Sequence, residues 1–235
     1  MPQSSLDALR ADFRQAINRV LQGDCIEIMR RLPAESVDLI IADPPYLVDY
    51  RERAGRRVAN DSAAAGDWLE PSTRELYRVL KENCFFLSFY GWPQIDRFMT
   101  AWKQAGFRPV SHLVWTKPYP SKTGYTAGHH EVAYLLAKGR PPRPQHPPSD
   151  VNPWKDTRNR LHPTQKSVAV IRPLIRAFSQ QAGLVIDPFA GSGTTAVAAL
   201  RENRRFIAIE KDPEYCRVAE RRLELLRVAD PPTSR

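Results

Sequence analysis

The sequence predicts an α/β fold: a mostly parallel sheet with helices on both faces, Rossmann-like in its layering. Three observations predict it. Short β-branched apolar runs alternate with segments of helical period along most of the chain. One run is followed by a glycine-rich turn, Asp187-Pro188-Phe189-Ala190-Gly191-Ser192-Gly193-Thr194-Thr195, that opens a helix. Another, Val37–Ala42, stops abruptly at Asp43-Pro44-Pro45-Tyr46, where a buried strand would reach the carboxyl edge of a sheet.

The elements follow in order. Leu6, Leu9 and Phe13 recur at helical spacing, so a helix opens the chain. A short strand fits Arg19–Gln22 and ends on Gly23-Asp24. Ile26, Ile28, Met29 and Leu32 form a short helix that Pro33 stops. After the strand at Val37–Ala42, residues 48–67 are polar and irregular and read as a loop carrying Arg51, Arg53, Arg56 and Arg57. A helix fits 71–81, a strand 84–90, a helix 93–105 and a strand 109–115, which Lys117-Pro118-Tyr119-Pro120 breaks. Residues 131–137 are again strand-like. Residues 139–159 hold six prolines and several arginines, which sustain neither a helix nor an inner strand. A helix fits 168–179, with Pro173 kinking it or sitting in its first turn. A strand at 184–186, a helix at Thr194–Arg201, a strand at 206–209 and a helix at 213–226 complete the alternation.

Bulk properties narrow the setting. The 235 residues, 42% hydrophobic, suit one domain over the whole chain with a core of ordinary size. There are 35 Lys+Arg against 26 Asp+Glu, a net charge of +9, which points to a polyanionic partner. Cys25, Cys84 and Cys216 are scattered and match neither a metal spacing nor a disulfide framework. No apolar run approaches the ~20 residues of a membrane span, and the start of the chain has no signal pattern. A cytoplasmic protein without a metal is expected.

Two motifs carry chemistry. In the glycine-rich turn a ligand can approach the backbone, and the first amides of the helix face it. Gly191, Gly193 and Ala196 also fit the dinucleotide fingerprint, and Glu210 at the end of the next strand suits a ribose. A dehydrogenase, however, leaves the second motif unexplained. In Asp43-Pro44-Pro45-Tyr46 the prolines fix the backbone and remove two N–H donors, so the site offers acceptors: the Asp43 carboxylate and the Pro44 carbonyl. Tyr46 adds a flat face. An amino group on an aromatic base needs that set.

With DPPY ahead of DPFAGSGTT, the chain resembles the amino-methyltransferases of DNA in the permuted order called the β group. The resemblance covers roughly residues 18–225. It implies a circularly permuted, seven-stranded fold of the kind that uses S-adenosyl-L-methionine and releases S-adenosylhomocysteine. Asp187 then takes the cofactor's methionine amine, Glu210 its ribose hydroxyls and Asp24, beside Cys25, its adenine. Phe189 packs against it, and Gly191, Ser192, Gly193 and Thr194 cradle it. His162-Pro163-Thr164-Gln165-Lys166 resembles the segment leading to the cofactor's amino-acid end, with Ser167 where the family usually has proline. Asp24 reads equally as a plain helix N-cap. Trp115, Lys117 and His130-Glu131 fall on the target-base side, where Trp115 and His130 read as core or as functional.

The resemblance also implies the substrate. The family acts on double-stranded DNA, and a base whose amine reacts must be flipped out. Stacking on Tyr46 would contribute about 1–3 kcal/mol. Asp43 at the head of the motif favours the N6 amine of adenine; the N4-cytosine subgroup more often has serine there. An RNA or protein methyltransferase and a catalytically silent DNA-binding module remain as other classes. Methylation of cytosine carbon-5 is excluded, since it needs a cysteine nucleophile and no cysteine here follows a proline in a loop, the place DPPY takes. Arg51, Arg53, Arg56 and Arg57 are expected on phosphates, and residues 138–160, with Arg140, Arg143, Lys155 and Arg158, form a short target-recognition insert. A homodimer, a restriction partner and a bacterial, phage or mobile-element origin are left open.

Overall fold

The computed structural model describes residues 11–48, 61–120, 125–155, 161–162 and 165–229. Arg51, Arg53, Arg56, Arg57 and Arg158 lie outside them, as do Leu6 and Leu9 of the expected first helix, of which residues 11–16 are helical.

Eight strands form one sheet in the order β1-β8-β7-β2-β3-β5-β4-β6. They are β1 (Arg19–Gln22), β2 (Val37–Ala42), β3 (Leu80–Phe89), β4 (Arg108–Thr116), β5 (His130–Lys138), β6 (Val151–Pro153), β7 (Leu184–Asp187) and β8 (Arg205–Glu210). Among them β5 alone runs against its neighbours, β3 and β4. The helices are α1 (Cys25–Arg30), α2 (Leu69–Val79), α3 (Ile95–Ala105), α4 (Val168–Phe178), α5 (Thr194–Arg201) and α6 (Pro213–Ala229). The mostly parallel α/β architecture agrees with the sequence. The strand count does not: eight replace seven, because β6 lies within the proline-rich stretch. It is an edge strand paired only with β4, a place where a missing N–H costs no ladder bond.

Each helix begins where the chemistry allows. Asp24 caps α1 by accepting from the Ile26 amide at 3.0 Å. Ser167 caps α4, accepting from Ala169 at 3.3 Å, so the departure from the family's proline is a change of one helix starter for another. Pro173 is interior to α4, beyond its first turn. Helix α2 runs straight into β3, which begins at Leu80, earlier than the expected 84.

The sheet is apolar on both faces, as parallel sheets are. Leu76, Phe98 and Trp102 of α2 and α3 cover one face, against Ile40 and Phe86. Ile171, Ile175, Val197 and Leu223 of α4, α5 and α6 cover the other, against Leu39 and Ile41. Asp38 fixes the register of the central strands: its carboxylate takes the Leu184 amide of β7 at 2.7 Å and the Lys81 ammonium of β3 at 2.6 Å. From β7 the chain crosses over to β8, and from β2 it crosses the other way to β3. The carboxyl ends of β2 and β7 therefore flank a topological switch point, the crevice where such sheets bind ligands.

Candidate active site

Four acids stand at four consecutive strand ends: Asp24 after β1, Glu210 ending β8, Asp187 ending β7 and Asp43 after β2. At the usual strand spacing of ~4.8 Å they span roughly 14 Å. Gly23 N donates to the Glu210 carbonyl at 2.9 Å, which ties the first two ends together. Asp24 spends one oxygen on its cap, and its other meets the Lys211 ammonium at 3.3 Å. The neighbouring Cys25 thiol is pushed up to about 12 by burial, then by Asp24, so it stays protonated.

The glycine-rich turn joins β7 to α5. Glu210 accepts from the Gly191 amide at 2.7 Å and the Asp212 amide at 2.8 Å. Burial raises its carboxyl above the ordinary value. Gly193 has φ +77°, and an added Cβ there would lie 2.8 Å from the Ala219 Cβ of α6. Its freedom thus serves helix packing, whereas at Gly191 the neighbour is the His162 ring, 3.3 Å from an added Cβ. Ser192 and Thr194 are buried, and their hydroxyls face the Arg222 guanidinium at 3.1 and 3.3 Å. Arg222 also donates to the Ser192 carbonyl. It clamps the turn, and the sequence did not single it out, since it sits in an arginine-rich helix like any surface cation.

Asp187 is 5% exposed. It accepts from the Phe189 amide at 3.0 Å. Burial pushes its carboxyl up to about 7, against hydrogen bonds from Thr195 and Phe189. Among the described residues no cation pairs with it. Phe189 lies edge-on to Trp68, centroids 5.3 Å apart, and the buried Trp68 Nε1 has no partner among the described residues. A buried carboxylate without a cation and an unused indole donor both suit a ligand that carries an ammonium group and acceptors.

The DPPY turn leaves β2 beside this cradle. Pro44 is buried and Tyr46 half-buried. Leu47, fully buried at φ +59°, donates its amide to Asp61 Oδ1 at 2.8 Å. Asp61 thereby anchors the turn from 14 residues further on, a long-range contact that no local pattern announces. Gly91, after β3, touches the other side: a Cβ there would lie 2.7 Å from that of Tyr46. Tyr46 donates its hydroxyl to Asp43 Oδ1 at 2.8 Å. Burial and the Asp43 charge hold the phenol well above its ordinary value, so it remains a donor. Lys166 reaches both Asp43 oxygens, at 2.8 and 2.7 Å, and the Tyr46 oxygen at 3.2 Å.

The target-side residues divide. Trp115 is core, stacked on Phe89 at 5.3 Å. His130 is exposed at the start of β5. Lys117 pairs with Glu131 and lies 5.1 Å over the Trp154 ring. Lys155 follows Trp154 at this same edge and is exposed. Arg140 and Arg143 are also exposed but stand at the opposite edge. Arg140 donates its amide to Asn83 Oδ1 toward the amino-terminal end of β3, beyond Lys138, which pairs with Cys84 and so lies roughly 17 Å along the strands from the level of Asp43. Lys138 itself is buried on the Tyr77 and Leu80 carbonyls. The structure thus separates the described part of the expected insert: Trp154 and Lys155 lie on the site's side of the sheet and its start does not. Among the described residues no His, Cys, Asp or Glu cluster could hold a metal ion, and no helix is long and apolar enough to cross a membrane.

Comparison with known proteins places this geometry. A DNA methylase family model covering both N6 and N4 enzymes matches residues 37–221. The chain belongs to the DNA methylase family. It is 51% identical over 207 residues to the Escherichia coli (strain K12) protein described as "Putative methylase YubD", covering 88% of this chain and 90% of that one. It is 31% identical over 255 residues to the DNA adenine methyltransferase YhdJ of the same organism, covering 91% and 85%. The crystal structure of the M1.HpyAVI-SAM complex superposes with a TM-score of 0.69 at 23% identity, over 87% of this chain and 98% of that one. This last likeness speaks for the fold.

Proposed function

We propose that this methylase transfers a methyl group from S-adenosyl-L-methionine to the N6 amine of an adenine flipped out of double-stranded DNA. The observation that carries the reading is the adjacency of two sites. Asp43 and the Pro44 carbonyl, a set of acceptors, stand one strand away from Asp187, a buried carboxylate that wants a cation. That β2 precedes β7 in the chain fits the permuted β-group order.

When bound, the cofactor supplies an electrophilic methyl on sulfur and leaves as S-adenosylhomocysteine. The chain's residues do the rest by placement. Asp187 holds the ammonium end, Glu210 retains lone pairs for ribose hydroxyls, and Phe189 packs alongside. Tyr46 offers its ring to the base. Asp43 and the Pro44 carbonyl accept the two amine hydrogens, which turns the nitrogen lone pair out of the ring and toward the methyl. The proton the methylated nitrogen sheds can pass to Asp43.

The family spans N6 and N4 enzymes. The aspartate at position 43 and the 31% identity to an adenine methyltransferase support adenine. Nucleoside analysis of DNA methylated by the purified protein decides it. N6-methyldeoxyadenosine is expected; N4-methyldeoxycytidine would replace adenine with cytosine as the target.

A further inference from the structure

The resemblance puts Lys166 at the cofactor's amino-acid end; its ammonium meets the DPPY turn. Only 8% of the side chain is exposed. Its three donors match three acceptors: Asp43 Oδ1 at 2.8 Å, Asp43 Oδ2 at 2.7 Å and the Tyr46 oxygen at 3.2 Å. Its charge lies 4.8 Å from the Phe89 centroid and 5.4 Å from that of Tyr46. The Thr194 hydroxyl donates to the Lys166 carbonyl at 3.0 Å, so the glycine-rich turn holds the lysine's backbone as well.

We propose that Lys166 is a positioning residue for methyl transfer, its ammonium fixing the Asp43 carboxylate so that a single acceptor site, on Oδ2, faces the incoming amine. The inference rests on the proposed amine-methylating role of Asp43. A carboxylate offers about four lone-pair sites, two per oxygen. Tyr46 and Lys166 take both on Oδ1, and Lys166 takes one on Oδ2. One remains, and with the Pro44 carbonyl it matches the two hydrogens of an exocyclic amine.

The same contact favours the charged, acceptor form of Asp43, against a burial that still holds its carboxyl above the ordinary value. Burial disfavours its charge, and Glu131 on β5 adds to that. Asp187 on β7 is a further negative neighbour. Lys166 is the opposing cation, and the Tyr46 hydroxyl assists it. Without the ammonium, desolvation and two nearby carboxylates act together, and Asp43 holds its proton to higher pH.

The test compares Lys166→Met and Lys166→Arg with the parent enzyme on duplex DNA. In Lys166→Met the rising limb of the pH profile of kcat should move up by at least one unit. Turnover at pH 7 should fall tenfold or more and recover in alkaline buffer. Lys166→Arg should keep the parent midpoint, and cofactor affinity by calorimetry should change less than threefold in both. A parent-like profile with lost cofactor affinity would assign Lys166 to the cofactor and overturn the proposal, as would no effect on either. NMR titration of the Asp43 carboxyl carbon gives a readout independent of turnover. A raised midpoint in Lys166→Met supports the proposal even if the base target is misassigned; an unchanged one sinks it. If Lys166→Met fails to fold, Lys166→Gln, which keeps a neutral donor, serves in both measurements under the same criteria.

Discussion

Asp187 shows how a single side chain ties burial to function. Its carboxyl is pushed up to about 7 by desolvation, from an ordinary value near 4. Between those values the folded protein carries a proton that the unfolded chain has lost, so the unliganded fold loses stability as pH rises from about 4 to about 7. An ammonium partner reverses the preference, because it favours the carboxylate. Binding S-adenosyl-L-methionine well below pH 7 should therefore release close to one proton, and affinity should fall about tenfold for each unit the pH drops below about 7, levelling between there and about 8, where the cofactor's own ammonium begins to lose its proton. Calorimetry in buffers of different ionisation enthalpy reads the proton directly, and Asp187→Asn should abolish its release. Asp43 makes the complementary prediction. Asp43→Asn should lower methyl transfer by about 10²–10³-fold, the scale of losing one preorganised charged partner, with cofactor affinity within about threefold of the parent. A large loss of cofactor affinity would mean that the two carboxylates do not divide the labour.

At this scale the sequence showed which residues gather at the candidate site better than what they touch. Asp43, Tyr46, Asp187 and Glu210 were legible because each follows a recognisable strand within a motif. Lys166 was legible as a site residue, yet its partner lies 123 positions away, and no local pattern encodes such a pairing. Asp61 and Arg222 were not legible for the same reason: both act by holding a turn that another part of the chain builds.

Among the elements, alternation of period fixed nearly everything central, because strands buried on both faces must be apolar throughout. It failed at the edge, where β6 needs only one partner and tolerates Pro153. Glycines carry a second constraint. Gly193 reads as a residue that admits ligand, and its left-handed backbone and the Ala219 contact give it a packing role between α5 and α6 that the sequence does not show. Gly193→Ala should cost about 2–4 kcal/mol, combining left-handed strain with overpacking. Adding Ala219→Gly should recover the overpacking part and leave the strain. Urea unfolding of both variants separates the two terms, and a single variant as stable as the parent would show that the α5–α6 contact yields without cost.

For the whole molecule, the switch point between β7 and β2 decides where DNA must come. A flipped base that reaches Asp43 enters at the carboxyl edge of the parallel strands. The net charge of +9 does not distinguish that edge from the other, and the proline-rich stretch runs between the two. Lys155 lies at the catalytic edge, near Trp154 and the Lys117–Glu131 pair. Arg140 and Arg143 lie at the far edge, where Arg143 lines a groove with Phe85, Phe178 and Pro147. Removing one cation from a phosphate should flatten the slope of log affinity against log salt by about 0.9. Lys155→Ala should show that change on all DNA sequences alike, because groups bound to phosphate position the duplex without reading bases. The double variant Arg140→Ala, Arg143→Ala should leave both slope and methylated sequence unchanged. If instead the double variant flattened the slope by nearly two units and Lys155→Ala did nothing, the duplex would lie across the far edge. A base flipped there could not reach Asp43, and the adjacency of the two carboxylates would need another explanation.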